Sequence, residues 1–394
     1  MALFDPLFPE IPATTLAELA DGYIWQNSFV ETPFQRYMAY SGAYDPFGGG
    51  ADMQVPSIYA PLQGGALAPG QSVTLTRKQI ITASVFDPKF YSYYTPIEEF
   101  ELEVLNRGPN ARVGILETYL EQLIQGLDFQ LEADMFRHGQ AIGAGVADDR
   151  TNSINGMSEA INDGVTPSWD GNYFPTYGSS TRNGALGASI NSTPVWFGDA
   201  SGNPAPPSYQ QLLDAYLLAI GRPNFMNTSW KGYAAIASAF QRQQRYDTRD
   251  DHNINWSGIK FEDATIFYDD ITPCSTPKPS IANLANPVNA IATLSYVQTA
   301  GMANNINNLP ATLGYTSSGT LGGLNTVVVG EPIWMLDVES WKYRPAVAEK
   351  FNYFFMDPIR WPDNPTMYSQ FLRHSMNWYT PTPRRNIAGY GILG

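Results

Sequence analysis

Residues 110–138, NARVGILETYLEQLIQGLDFQLEADMFRH, decide how this chain is read. Apolar side chains fall at Val113, Leu116, Leu120, Leu123, Leu127 and Leu131, in steps of three and four. That spacing draws one face of a helix lasting about eight turns, a rod of roughly 43 Å. Most helices in globular proteins stop after about three turns. Asn106 or Asn110 suits the cap and Pro109 the first turn, while Arg137 and His138 suit the negative end and Gly139 the stop. The other side of the rod carries Arg112, Glu117, Glu121, Asp128, Glu132 and Asp134 and is expected to be wet or to meet something polar. A long rod that follows about a hundred loosely patterned residues suggests part of a lattice more than a pocketed catalyst.

Working outward, residues 1–50 read as an arm. A Pro- and Phe-rich start precedes a short helix expected over Leu16–Phe29, capped by Thr14-Thr15. Residues 42–70 are loop-like, with Gly48-Gly49-Gly50 and Gly64-Gly65. Val73, Leu75 and Ile80–Val85 then read as strands, and Phe90, Tyr91, Tyr93 and Tyr94 continue extended into the rod. Residues 51–100 therefore make a two-stranded excursion with too little around it for a core. Isolated hairpins are marginal in water, so another subunit is expected to cover it.

After the rod, residues 139–207 are rich in Gly, Ser and Asn. Helices are expected over Ser208–Ile220, with Leu212, Leu213, Tyr216, Leu217 and Ile220 inward, and around Trp230–Gln244 with Tyr233, Ile236 and Phe240. A hairpin turns at Glu262-Asp263 between Ile259-Lys260-Phe261 and Ala264–Tyr268. Val327–Val329, Ile333–Leu336, Phe351–Phe355 and Phe371–Trp378 complete the strands.

Composition narrows function. Of 394 residues only 15% are charged, against a usual quarter, while aromatics reach 13% with 34 glycines and 30 prolines. Tyr and Trp bury apolar area and keep a polar handle, which suits extensive protein contact. Net charge is −14, from 23 basic and 37 acidic residues, so tight phosphate binding by the whole chain is unfavourable. Such a surface is tolerable on a container wall. The one cysteine, Cys274, excludes an internal disulfide, and three histidines do not complete a structural zinc set. Neither a signal sequence at Met1–Asp5 nor 18 consecutive apolar residues is seen, so a soluble, unsecreted chain is expected.

Catalytic patterns are thin. His138, His252 and His374 lie in three different segments, and His252 beside Asp250-Asp251 has no adjoining nucleophile motif. The acidic pairs Glu98-Glu99, Asp148-Asp149, Asp250-Asp251 and Asp269-Asp270 are expected to be exposed turn acids. Adjacent strand residues face opposite ways, and no pair has calcium-loop spacing. Phosphate-loop, zinc-protease, nucleophile-elbow and dinucleotide patterns are missing from the sequence. Trp334, Trp341, Tyr343, Trp361, Trp378 and Tyr379 read as core and contact residues, with a sugar platform as the rival. No cofactor, metal or enzymatic activity is expected.

The order of elements resembles the major capsid protein of tailed bacteriophages, the Johnson fold of Hong Kong 97 type. The likeness rests on the arm, the hairpin excursion and the rod at about 107–138. It continues through Ile154-Asn-Gly-Met157 and Tyr177-Gly-Ser-Ser-Thr-Arg182 in the Gly-rich stretch. It rests most on Gly258-Ile-Lys-Phe-Glu-Asp-Ala-Thr-Ile-Phe-Tyr-Asp-Asp270, Ile333-Trp-Met-Leu-Asp-Val-Glu-Ser-Trp341, Pro362, Pro365 and Pro383-Arg-Arg-Asn386. The resemblance implies an α+β fold with an arm (1–50), an extended hairpin loop (51–100), a peripheral domain with the spine helix (101–145 and 343–378) and an axial domain (146–342 and 379–394).

It also implies hexamers and pentamers of the chain itself, closed into an icosahedral head around double-stranded DNA. Such heads are assembled in the host cytoplasm, with portal, decoration and separate scaffolding proteins as possible partners. Inter-subunit contacts would then fall on Arg77, Lys78, Lys89, Phe90, Tyr91, Tyr93, Arg112, Glu117, Glu121 and Asp128. Some members crosslink a hairpin lysine to a neighbour's asparagine. Lys78 and Lys89, with Asn364, Asn377 and Asn386, occupy the corresponding regions, but no motif singles out a pair. The two rivals are a phage tail or baseplate component and a carbohydrate-binding or glycoside-hydrolysing β-rich protein.

Overall fold

The computed structural model describes residues 33–38, 45–59, 66, 68–69, 80–98, 115–140, 151–164, 168–169, 174–182, 190–192, 194–197, 205–241, 248–251, 256–274, 294–297, 320–321, 324–327, 331–345, 354–360 and 367–392. Among them the helices are α1 (Pro33–Met38), α2 (Ile115–Met135), α3 (Met157–Ala160), α4 (Tyr209–Leu218) and α5 (Trp230–Gln241). The strands begin with β1 (Met53–Ile58), β2 (Ile81–Phe86), β3 (Lys89–Glu98), β4 (Thr176–Tyr177), β5 (Ser180–Thr181) and β6 (Val195–Trp196). Next come β7 (Phe225–Thr228), β8 (Thr248–Asp251), β9 (Trp256–Phe261), β10 (Ala264–Tyr268), β11 (Leu294–Val297), β12 (Thr320–Leu321) and β13 (Leu324–Val327). The last are β14 (Glu331–Leu336), β15 (Lys342–Pro345), β16 (Phe354–Arg360), β17 (Met367–Tyr379) and β18 (Ile387–Ile392). The mixture of helix and sheet is α/β in composition.

The chain divides into two compact units. One comprises Met1–Glu31, Phe90–Gln130 and Phe351–His374, the other Thr32–Lys89, Leu131–Lys350 and Ser375–Gly394. In the first, β17 pairs with β16 and with β3. Alternation along β3 leaves Phe90, Ser92, Tyr94 and Pro96 exposed, while Tyr91 is buried and Tyr93 half-buried. Leu123 and Leu127 of α2 are buried. Gly126 spares room for the Tyr93 ring, which a Cβ there would touch at 3.5 Å.

The second unit is organised by a seven-stranded sheet in the order β6-β18-β14-β7-β10-β9-β8. Strands β14 and β18 are buried at every residue, as near-continuous apolar segments must be when both faces are covered. Helices α4 and α5 supply Leu212, Tyr216, Ile236 and Phe240 to a core shared with Phe261, Ile266, Ile333 and Ile387. Helix α4 starts on a capping box: Gln211 N–H donates to Ser208 Oγ at 3.2 Å and Ser208 N–H to Gln211 Oε1 at 3.0 Å. The tail aromatics are core. Trp341 stacks on Trp378 with ring centroids 4.0 Å apart, and Trp334, Tyr343 and Tyr379 are buried too. Trp361 lies outside the described residues.

Several expectations need correction. Helix α2 ends at Met135, and Arg137 and His138 lie in the turn beyond it; residues 101–114 fall outside the described set. Glu132 and Asp134 are buried, not wet. The stripe pattern fails there because residues 131–139 are enclosed on every side, so no face is left for water. Gly139 is a close-packing position, where a Cβ would lie 2.5 Å from the Ile154 carbonyl oxygen. Leu217 and Ile220 are exposed, because the buried stripe of α4 runs through Leu212, Ala215, Tyr216 and Ala219, one step round the helix. Asp269 is buried too, although it was expected in an exposed turn. The helix expected over Leu16–Phe29, the strand at Val73–Leu75 and His252 lie outside the described residues.

Candidate assembly interface

Strands β1 and β2 form a separate antiparallel ribbon, with Met53 opposite Phe86 at one end and Ile58 opposite Ile81 at the other. Registered partners share a face. Met53, Ser84 and Phe86 are buried at the base. The opposite face carries Pro56 with Ala83 and Ile58 with Ile81, all exposed, and the two isoleucines keep 71% and 51% of their surface in water. Pro56 fits because both strands of a two-stranded ribbon are edges.

The base is rigidly held. Phe86 stacks on Tyr379 with centroids 4.3 Å apart and planes 8° from parallel, and meets Tyr177 edge-on at 5.2 Å. Val85 N–H donates to the Gly178 carbonyl at 2.9 Å. Gly178 has φ +52°, and a Cβ there would lie 2.6 Å from the Phe86 ring. The turn that carries Gly178 is itself fixed. Tyr177 Oη donates to the Thr380 carbonyl at 3.1 Å and accepts from Thr380 N–H at 2.9 Å.

Arg182 is buried and donates to the carbonyls of Asn162, Ile190 (2.5 Å) and Glu159 (2.7 Å); burial lowers its pKa to about 10. The Glu159 carboxyl, pushed up by burial, accepts from Gly139 N–H at 3.0 Å and Asn155 Nδ2 at 2.8 Å. The ribbon thus combines a stiff, buried base with a wet apolar end.

The residues expected at subunit contacts are dispersed. Phe90 is 61% exposed on the same face of β3 as Tyr94, whose ring lies 6.1 Å from Phe371. Tyr91 is buried and Tyr93 and Asp128 are half-buried. Glu117 and Glu121 lie on α2, with their side chains outside the described set; Arg77, Lys78 and Arg112 lie wholly outside it.

Lys89 is employed within its own chain: Nζ donates to the Thr151 carbonyl at 2.6 Å and reaches that of Gly139 at 3.5 Å. Asn377 is buried and donates to the Asp87 carbonyl at 2.7 Å and Asn155 Oδ1 at 2.8 Å. Asn386 accepts from Asp337 N–H and Trp341 Nε1, both at 2.9 Å. These amides knit the fold. The exposed strip Pro56–Ile58–Ile81–Ala83 was overlooked in the sequence, although residues 53–58 alternate as a strand does. The adjoining glycines and Pro56 masked that signal. Among the described residues no cluster of three or more His, Cys, Asp or Glu could hold a metal ion.

No protein-family model matches the sequence, and no curated protein matches it. Solved structures do match. The capsid of cyanophage A-1(L) aligns over 98% of this chain and 99% of its own at 11% identity, with a TM-score of 0.56. The holo-SrpI encapsulin complex of Synechococcus elongatus aligns over 97% and 96% at 8% identity, TM-score 0.52. The capsid of a native GTA particle aligns over 94% and 92% at 8% identity, TM-score 0.51. The fold of this chain is that of capsid and encapsulin shell proteins, from end to end.

Proposed function

We propose that the chain is the major capsid protein of a tailed bacteriophage, a structural and non-enzymatic subunit whose work is self-association. The observation that carries this reading is the ribbon. Its base is locked into the core while its far end holds Ile58 and Ile81 in water. Exposed apolar surface of this kind marks association sites. Likeness to capsid structures over 94–98% of the chain supports a second copy as the partner.

On this reading copies gather as hexamers and pentamers, and the ribbon of each lies over a neighbour. The closed icosahedral head encloses double-stranded DNA and is part of the virion. Each contact is modest, and closure makes loss of any one copy rare. On this reading the chain comprises an arm (1–50), a hairpin loop (51–100), a peripheral domain (101–145 and 343–378) and an axial domain (146–342 and 379–394). The wall is acidic and does not grip the genome, in keeping with a net charge of −14.

Electron microscopy of the purified chain tests this. Closed shells are expected; rings or tubes would point to a tail component, and a dispersed monomer would overturn the proposal. Replacing residues 60–79 with a short turn should leave a folded subunit that no longer forms shells. A second reading, an encapsulin-like shell, draws on the likeness to the Synechococcus complex. Nuclease-protected DNA inside particles recovered from the native source is expected for a phage head, and its absence would favour the second reading.

A further inference from the structure

Two buried carboxyl groups meet beneath the arm segment α1. Glu132, near the end of α2, accepts Phe34 N–H on Oε1 at 3.3 Å and Gln35 N–H on Oε2 at 3.4 Å. These are the first backbone donors of α1, which lack partners inside so short a helix. The same carboxyl is within hydrogen-bonding reach of Asp269, and both groups are enclosed. Asp269 Oδ1 accepts Ile271 N–H at 3.2 Å, while its Oδ2 is buried and receives no bond from a permanent donor. Two carboxylates offer only acceptors. A bond between them requires one proton.

Among the described residues, the charged groups nearby are engaged elsewhere or add negative charge. Asp270, next in the chain, adds further negative charge to Asp269. On α2, Asp134 stands 4.0 Å from Arg137. His138, beyond the helix, lies against Phe174 at 5.2 Å and acts on Glu159. Strand β7 brings Phe225 to Thr228, none of them ionisable. Helix α1 carries Arg36 and Tyr37, the latter stacked on Phe225 at 4.4 Å. Apart from the carboxyl, α1 is held by aromatic packing, with Phe34 5.1 Å from Phe136 and 5.8 Å from Phe225.

We propose that Glu132 and Asp269 form a proton-operated latch on the N-terminal arm, docking α1 when they share a proton and loosening it when that proton leaves. Burial first, and the charge of Asp269 second, raise the Glu132 carboxyl well above the usual glutamate range, so Glu132 carries the proton and donates it to Asp269. The sign follows from linkage. A carboxyl raised in the folded state contributes stability that is complete below its unfolded value. That contribution is lost as pH rises through the folded value. Acid therefore secures the arm and alkali frees it, the reverse of ordinary acid denaturation. The latch goes beyond the shell reading and is tested without shells.

The experiment is hydrogen–deuterium exchange on the dissociated full chain from about pH 5 to about pH 9, corrected for intrinsic exchange. Protection of the 33–38 peptide is expected to fall by up to about tenfold for each unit of pH from the ordinary glutamate range up to the raised folded value and to level off above it, while β18 keeps its protection. Glu132→Gln should flatten the profile, because its amide donates to Asp269 and its carbonyl still accepts from α1. Asp269→Asn should make the fall shallower without abolishing it, because the second charge is gone while burial, the larger cause, remains. A flat wild-type profile overturns the proposal, as does a Glu132→Gln profile that falls like the wild type. If neither variant folds, the wild-type profile decides alone.

Discussion

The β1–β2 ribbon and strand β14 of the mixed seven-stranded sheet are built from the same antiparallel pairing and end in opposite states. In the sheet, β14 is flanked by β18 and β7, and every residue from Glu331 to Leu336 is buried. In the ribbon, each strand has one neighbour among the described residues, and burial fades from Met53 and Phe86 at the base to Ile58 and Ile81. Hydrogen bonding does not distinguish them. What differs is whether anything covers the faces, and two strands alone cannot cover their own. The sheet's strands are covered within the chain, while the ribbon presents apolar area to water.

The largest effect is expected at the ribbon's end. Ile58→Asp with Ile81→Asp should abolish shells in electron micrographs while shifting unfolding free energy by less than about 1 kcal/mol, since both side chains are wet in the free chain. Intact shells from the double variant would break the contrast. Phe86→Ala comes next. It removes the stack on Tyr379 and should cost roughly 3–5 kcal/mol by urea denaturation. A cost near zero would show that the base is no part of the core.

Removing a single methyl group then separates the two regions directly. Ile333→Val, in the middle of the sheet, should cost about 0.5–1.5 kcal/mol, whereas Ile58→Val should cost next to nothing in the free chain. Equal costs would mean that the ribbon is covered intramolecularly after all.

Much of this contrast is legible in the sequence, and the rest is not for definable reasons. The run Ile333–Leu336 announces a buried strand because covered strands are apolar throughout, whereas Ala264–Tyr268, read as half of a half-buried hairpin, is buried from Ala264 to Phe267. Ser208 and Gln211 announce a helix start because their side chains answer local backbone groups. The stripe along Leu116–Leu131 announces a helix but not its surroundings. Glu132 and Asp134 look solvent-facing by period, yet the fold encloses them, and no local pattern reports what packs from a hundred residues away. Asp269 meets Glu132 from 137 positions along the chain, so their partnership lies beyond any window of periodicity. The ribbon's wet strip was missed because Pro56 and the neighbouring glycines make β1 resemble loop.

The smallest effect is expected where the sheet itself reaches water. Arg222 pairs with Asp263 of the β9–β10 turn at 3.0 Å, with the two side chains 75% and 67% exposed. In high dielectric such a pair contributes about 0.5 kcal/mol or less, and salt screens it. Arg222→Ala should therefore leave unfolding midpoints nearly unchanged at 0.5 M salt and leave shell yield intact. Exposure alone is then not what marks an association surface. The sheet meets water with compensated charge, which hydration satisfies, and the ribbon meets it with isoleucine, which hydration penalises. If Arg222→Ala were to stop assembly as completely as the isoleucine substitutions, the apolar character of the ribbon's end would no longer set it apart. The subunit contacts would then have to be sought along polar edges as well.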